Sequence, residues 1–463
     1  MESIDDEDEF LSLKLAIATQ QPLGCERNKK RKRPREDLVN ILNYEEEVYS
    51  LLQIGEQMLN STHKTSKESV GGCRDGLQLI HLLLVAAAAV NDNNLASAMA
   101  NLSELCQNVS VLGDAIQRVS AYFAAALTAR LLTQKSPFYH TIMKPPTPQE
   151  EFLAFTHLYK VSPLYQFAHF TANQAIIEAF ENESQTNNNT NASLHVIDFD
   201  ISYGFQWPSL IQSLSQPLLN RVSLRITGFA TTLNELRETE ARLLSFAKGF
   251  RNLSFEFHGL LKGSHLGNIV TRENETTAVN LSFRVNRLLT DNISETLKAV
   301  RSLRPSIVTV VEHDICRKLP RSFLPRFMES LHYFAAMFDS LDDCLPVESH
   351  ERLSIENHLG REIKSVMNFD DQRNESEIME MWKGRGVMEN CGFCEMELSS
   401  KNVMQAKLLL KIRSHSPSPS SDSSCSSSCV NGGFRVVERD DGKGISLAWQ
   451  DRCLITASAW QCV

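Results

Sequence analysis

Apolar residues recur every three to four positions between Gly76 and Leu132, the spacing that gathers them on one face of an α-helix. Leu77, Ile80 and Leu84 make one stripe. Leu95, Met99, Leu102, Leu105 or Cys106, and Val109 make a second, and Ile116, Val119, Phe123, Leu127 and Leu131 a third. The polar run Asn91–Asn94 and then Gly113 separate them, which predicts three amphipathic helices. Pro145, Pro146 and Pro148 break the pattern. Glu150–Glu181 is helical again, interrupted at Pro163, and the Asn-rich stretch Asn182–Asn191 reads as a loop.

Beyond that loop the period changes. Leu194–Phe199, Val222–Thr227, Leu253–Phe257, Ala278–Phe283 and Ile307–Glu312 are short, apolar, β-rich runs. Amphipathic helical stretches lie between and after them: Trp207–Leu219, Leu233–Phe250, Ile293–Leu303 and Arg321–Leu341. Strands alternating with helices predict an α/β fold, a mostly parallel sheet with helices on both faces. Asn402–Ile412 reads as helix; Phe434–Arg439, Ile445–Gln450 and Leu454–Trp460 read as strands. The Gly442-Lys443-Gly444 turn predicts a terminal antiparallel hairpin closing the sheet, and the helices before residue 180 form an α-helical cap.

Charge divides the chain differently. Seven of the nine residues from Arg27 to Arg35 are basic, with Lys29, Lys30, Arg31, Lys32 and Arg33 at the centre. The whole chain has 47 basic and 56 acidic residues, a net −9; without that run, 40 basic residues face the same 56 acids, a net −16. The run is a positive tag on an acidic body, the form a nuclear import signal takes. The acidic body argues against gripping nucleic acid by charge alone. The longest apolar run, Leu82–Val90, falls short of the roughly 20 residues that cross a bilayer. The acidic start at Asp5–Glu9 does not read as a secretory signal, so the 11 cysteines are expected as reduced thiols. A low-complexity insert runs from Ser414 to Ser428. Ser416 and Ser418, each followed by proline, are candidate phosphorylation sites in it.

The stretch most like a catalytic motif is Asp198-Phe199-Asp200-Ile201-Ser202-Tyr203-Gly204, directly after the first core strand. An α/β cofactor protein places its phosphate loop there, built of several glycines, and ends its second strand on an acid that holds ribose hydroxyls. Here the loop has one glycine among bulky residues, and the second strand runs Leu224-Arg225-Ile226-Thr227-Gly228. Both requirements are missed, which leaves a cofactor fold whose pocket is filled or changed. Glu312-His313-Asp314 ends a core strand without an identifiable nucleophile, and reads as hydrogen-bonding to neighbouring loops. Cys391-Gly392-Phe393-Cys394 has metal spacing but no matching second pair. No catalytic residue, cofactor or metal is expected.

Several of these segments together resemble the GRAS family of plant transcriptional regulators. Leu194-His195-Val196-Ile197-Asp198 resembles its VHIID motif, with Leu in first place, and Gly204–Leu210 continues it. The helices over 76–132 resemble the first leucine repeat and Leu233–Leu261 the second. Arg326-Phe327, Leu331–Tyr333, Phe338–Leu341 and Gly360–Ile363 are similar to the PFYRE region. Arg435–Arg439 and Ser458-Ala459-Trp460 are similar to the SAW region. The resemblance divides the chain into a variable region 1–69 and a GRAS domain 70–463. Within it lie leucine repeat I (70–145), the VHIID region (146–230), leucine repeat II (231–263), the PFYRE region (275–372) and the SAW region (373–463, with the insert 414–428). Glu151–Phe155 and Ser162–Ile176 further resemble a branch of the family associated with nodulation signalling and with strigolactone biosynthesis genes.

The resemblance implies a methyltransferase-like (Rossmann-like) core, location in the nucleus, and control of transcription without enzymatic activity. It implies complexes with other GRAS proteins, as homo- or heterodimers, and with DNA-bound transcription factors, DNA being contacted indirectly. The cap is the expected partner surface, with Leu95, Met99 and Leu102 as contact candidates. An S-adenosylmethionine-dependent methyltransferase of the same fold is the alternative, and direct DNA binding by a local basic face a third reading.

Overall fold

The structure, a computed structural model, describes residues 72–132, 135–186, 192–216, 221–264, 266–283, 293–317, 322–368, 384–414, 433–439 and 442–463. The basic run 29–33, Ser416 and Ser418 lie outside the described residues.

Among the described residues five helices come first: α1 (Gly72–Asn91), α2 (Leu95–Asn108), α3 (Ala115–Leu131), the short α4 (Pro137–Ile142) and α5 (Pro148–Val161). Their starts follow side-chain chemistry. Asn94 and Asp114 accept from the backbone of Ser97 and Gln117, and Thr147 with Glu150 closes a capping box behind Pro148. In α1 the buried face is Leu79, Leu82, Leu83, Ala86 and Ala87, whereas Leu77 is 70% exposed, so the stripe expected from Leu77, Ile80 and Leu84 is corrected. From Leu82 to Val90 the helix is apolar on nearly every side, and periodicity alone could not select the face that meets α2 and α3.

The cap also recruits two helices from far along the chain, α10 (Phe323–Asp342) and α11 (His350–Met367), both packed on α3. Conversely α6 (Leu164–Thr186), expected as part of the cap, lies on the sheet. The cap is therefore α1–α5 with α10 and α11, rather than a continuous block up to residue 180.

The sheet is ordered β3-β2-β1-β4-β5-β9-β8-β7, from β1 (Ser193–Asp198), β2 (Val222–Ala230), β3 (Leu253–Leu261), β4 (Thr276–Asn280), β5 (Ile307–His313), β7 (Phe434–Arg439), β8 (Gly444–Trp449) and β9 (Arg452–Cys462). The first five pair in parallel; β9 is antiparallel to both β5 and β8, so β8 again runs with β5. This is the methyltransferase-like doubly wound sheet, with the reversed strand inserted beside β5. A short strand not foreseen, β6 (Phe393–Met396), pairs with the last residues of β9. Strand alternation gives the sheet two cores. Leu194, Val196, Leu224 and Ile226 join one with α6, α7 (Trp207–Leu214) and α8 (Leu233–Ala247). Ile197, Val279, Val308 and Trp460 join the other with α9 (Ile293–Ser302) and α12 (Gly384–Asn390). The last helix, α13 (Ser400–Ser414), packs on α6 and β7.

Candidate functional site

β1 delivers its carboxyl end to the place where a doubly wound sheet binds its ligand. Asp198, the last residue of the strand, is buried. Its carboxylate accepts from Asn280 Nδ2 at 3.1 Å, from the Asp200 backbone at 3.2 Å and from Trp207 Nε1 at 3.0 Å. Asn280 in turn accepts from Ser282 and Thr309, and Gln206 joins Asn280 to Asn173 of α6. The network ties β1, β4, β5, α6 and α7 together. Burial pushes the Asp198 carboxyl up to about 7, against the pull of its hydrogen bonds.

The loop after Asp198 packs against the end of β2. Its turn needs positive φ at Ser202 (42°) and Gly204 (70°). The Ile201 backbone N–H donates to Phe229 O at 2.9 Å, and its side chain lies against Gly228 at the point where the chain carries no ribose-binding acid. Phe199 stacks on Phe229, with ring centroids 5.3 Å apart. Tyr203 and Phe205 meet Phe152, Phe155 and Tyr159 of α5, so aromatic rings occupy the approach. Asp200 is tied to Lys262 at 2.9 Å. The arrangement anchors the loop to β2, β3 and α5.

His195 is equally structural. Its ring is fully buried, with Nε2 2.8 Å from Thr227 Oγ1 and Nδ1 3.0 Å from Arg225 Nη2. Burial, reinforced by the Arg225 charge, holds it down at about 3, so it is neutral and its Nδ1 accepts from the guanidinium. Arg225 is itself paired with Glu275.

The comparisons identify this arrangement. The GRAS domain family matches residues 79–461. The chain belongs to the GRAS family. Members of this family are plant transcriptional regulators. Protein SCARECROW of Arabidopsis thaliana is 36% identical over 397 residues, covering 83% of this chain and 56% of that protein. Scarecrow-like protein 23 of the same plant is 35% identical over 399 residues, covering 83% of this chain and 90% of that one. The crystal structure of SCL7 from Oryza sativa superposes with a TM-score of 0.66 at 30% identity, over 83% of this chain and 99% of that one. This chain thus spans about half the length of SCARECROW itself.

The other residues that resemble the VHIID motif, and Ser458-Ala459-Trp460, are buried. Leu194, Val196 and Ile197 are fully buried in β1. In the SAW segment Trp460 is 2% exposed and donates through Nε1 to Ser458 Oγ at 3.0 Å, while Ala459 is buried opposite Thr309. His313 contacts Tyr333 Oη of α10 at 3.0 Å, and Asp314 accepts from Arg439 of β7 and Thr456 of β9, so these two bond to a helix and to strands and not to the neighbouring loops expected. Cys391 sits in the second core and Cys394 is exposed; among the described residues no cluster could hold a metal.

Of the cap candidates, Leu95 is 44% exposed and Met99 half-buried, but Leu102 is completely buried and cannot meet a partner. Its place at the packed centre of α2 follows from Ala98, Leu105 and Cys106 on the same face. Leu95 borders a groove of about 370 Å³ lined also by Arg130, Leu131, Tyr139 and Phe323, with the Arg130 guanidinium 4.6 Å over the Phe323 ring.

Sequence reasoning missed the buried charge cluster of the cap. Arg118 donates to Glu356 at 2.9 Å and to Asp342 at 2.6 Å, and Arg352 pairs with Asp342 as well. The i,i+4 spacing of Arg352 and Glu356 was its one local signal.

Proposed function

We propose that this chain is a nuclear transcriptional regulator that works in complexes with other GRAS proteins and with DNA-bound factors, and reaches DNA through them. Family membership across residues 79–461 carries the reading. It is supported by the loop after β1, where Ile201 packs on Gly228 and Tyr203 on Phe152 in place of the glycines a phosphate loop carries. The basic run supplies import. Replacing Lys29, Lys30, Arg31, Lys32 and Arg33 by Ala should move a fluorescent fusion to the cytoplasm; an unchanged nuclear signal overturns that part.

The partner surface is the cap around Leu95 and Met99. Met99→Glu should abolish pull-down of a second GRAS protein while the circular-dichroism melt stays intact; loss of the melt assigns Met99 to the core instead. Because Glu151–Phe155 and Ser162–Ile176 resemble the nodulation-signalling branch, the regulated genes are those of symbiotic signalling or strigolactone biosynthesis. Transcript profiling after induced expression tests this: both gene sets should respond within hours, and unchanged levels of both reject the assignment.

The sheet topology favours one second reading, a methyltransferase. Calorimetric titration with S-adenosylmethionine separates them. Absence of binding is expected, and micromolar affinity would restore the enzyme.

A further inference from the structure

One margin of the sheet is β3. Among the described residues β3 pairs with β2 alone, from Val222↔Leu253 to Ala230↔Leu261. The Lys262 N–H donates to Ala230 O at 2.8 Å, and Asn252 O accepts from the Val222 N–H at 3.0 Å. The register between these bonds has no shift, so the even-numbered residues of β3 face β2. Leu253, Phe255, Phe257 and Gly259 therefore turn their N–H and C=O groups outward. Edge strands are ordinarily kept from pairing by shortness, bulges, Lys or Pro. β3 has nine residues, no bulge, no Lys and no Pro. At the opposite margin β7 has six residues, of which Arg435, Glu438 and Arg439 are charged.

The strand is complementary to itself. In an antiparallel pair about a two-fold axis at Phe257, Phe255 faces Gly259 of the second copy and Phe257 faces its counterpart. These are outward-facing residues, so each such pair exchanges two backbone hydrogen bonds. Glu256 and His258 then stand opposite each other at non-hydrogen-bonded positions, where side chains are closest, and no like charges are opposed. Arg272, 2.8 Å from Glu256, can stay where it is, because the pairing rests on the backbone.

The helix α8 agrees with this axis. Thr239 and Arg242 donate to the carbonyls of Ser202 and Tyr203 in the loop after β1, and Leu236, Leu243 and Ala247 are buried. At about 100° per residue, Leu233, Arg237, Glu240 and Leu244 lie on the opposite flank, above the free edge. Leu233 is 55% exposed. Because α8 packs over both β2 and β3, two copies of it lie about 10 Å apart, a helix-packing distance. Running antiparallel, they set Leu233 against Leu244 and Arg237 against Glu240. Neither Arg237 nor Glu240 makes an ion pair among the described residues.

We propose that this edge joins two copies of the chain, β3 pairing antiparallel with β3 across a two-fold axis at Phe257 and α8 packing on α8. The edge is about 30 Å long and, with α8, roughly 20 Å deep, or about 600 Å² per copy. That is below the roughly 800 Å² per partner of a standard interface, so the dimer dissociates in the micromolar range. The proposal rests on the reading of the chain as a protein that works in complexes, and assigns self-association to a face apart from Leu95 and Met99.

Sedimentation equilibrium of the purified full chain reads self-association alone, so its failure is distinct from failure of the transcriptional reading. The mass should rise with micromolar concentration from 52.2 kDa toward twice that value. His258→Glu places a carboxylate opposite Glu256 on both sides of the axis and should weaken the dimer at least tenfold; the side chain is exposed, so the thermal melt stays unchanged. Glu256→Cys with His258→Cys should give a disulfide-linked dimer on oxidation, because opposed positions of this kind lie about 4.5 Å apart at Cα. The wild type and each single variant should give none. The mass of one chain at every concentration, which leaves the edge to a strand of another protein, overturns the proposal. So does a dimer that His258→Glu leaves intact and the paired cysteines do not link.

Discussion

A Cβ placed on Gly228 would fall 2.9 Å from the side chain of Ile201. The end of β2 and the loop after β1 are thus in direct contact. Gly228→Ala should push Ile201 out of a packed site and cost about 1–3 kcal/mol. Urea unfolding measures it; an unchanged midpoint would mean that the loop is not seated on the strand.

Asp198 makes stability depend on pH. Its carboxyl is raised from 3.8 to about 7 by burial, so as pH rises the unfolded chain releases this proton first. The contribution is fully present below about pH 4 and is lost as pH rises toward about 7. At roughly 1.4 kcal/mol per unit of pKa difference, the change across that window is a few kcal/mol. Asp198→Asn should flatten the slope of unfolding free energy between pH 4 and 7. An identical slope in the variant would assign the dependence to other groups.

Two residues hold the cap to its C-terminal helices. A Cβ on Gly360 would fall 2.2 Å from the Tyr122 ring, so α3 and α11 meet where one of them has no side chain. Gly360→Ala should force them apart at a cost of about 3 kcal/mol or more. Arg118→Ala leaves the buried Glu356 carboxylate with Arg352 alone, at 3.7 Å, and removes a donor to Asp342, with an expected loss of about 3–5 kcal/mol. Both are read by thermal unfolding; wild-type melts would separate α10 and α11 from the cap.

The strands and most helices were legible in the sequence because their burial is periodic. The run Leu194-His195-Val196-Ile197-Asp198 alternates between two cores. What stayed hidden depends on distant partners. The helix α11 has an interior glycine whose purpose appears only when Tyr122 is brought against it. The buried face of α1 depends on α2 and α3, and the turn at Cys391–Cys394 leads into β6, a strand that forms only against the far end of β9.

Trp460 should prove structural. It is buried among Phe393, Val308 and Met388, and Trp460→Ala is expected to cost about 3–5 kcal/mol and to lower solubility and transcriptional output together. Chemical unfolding beside a reporter assay checks it. Lost output at full stability would mark Trp460 as a contact residue.

The central claim is that this fold regulates transcription. The direct measurement tethers the full chain to a reporter promoter through a heterologous DNA-binding domain in plant nuclei. The account predicts a several-fold change in reporter transcript relative to the DNA-binding domain alone. Transcript levels equal to that control, with the fusion present in the nucleus, would contradict it.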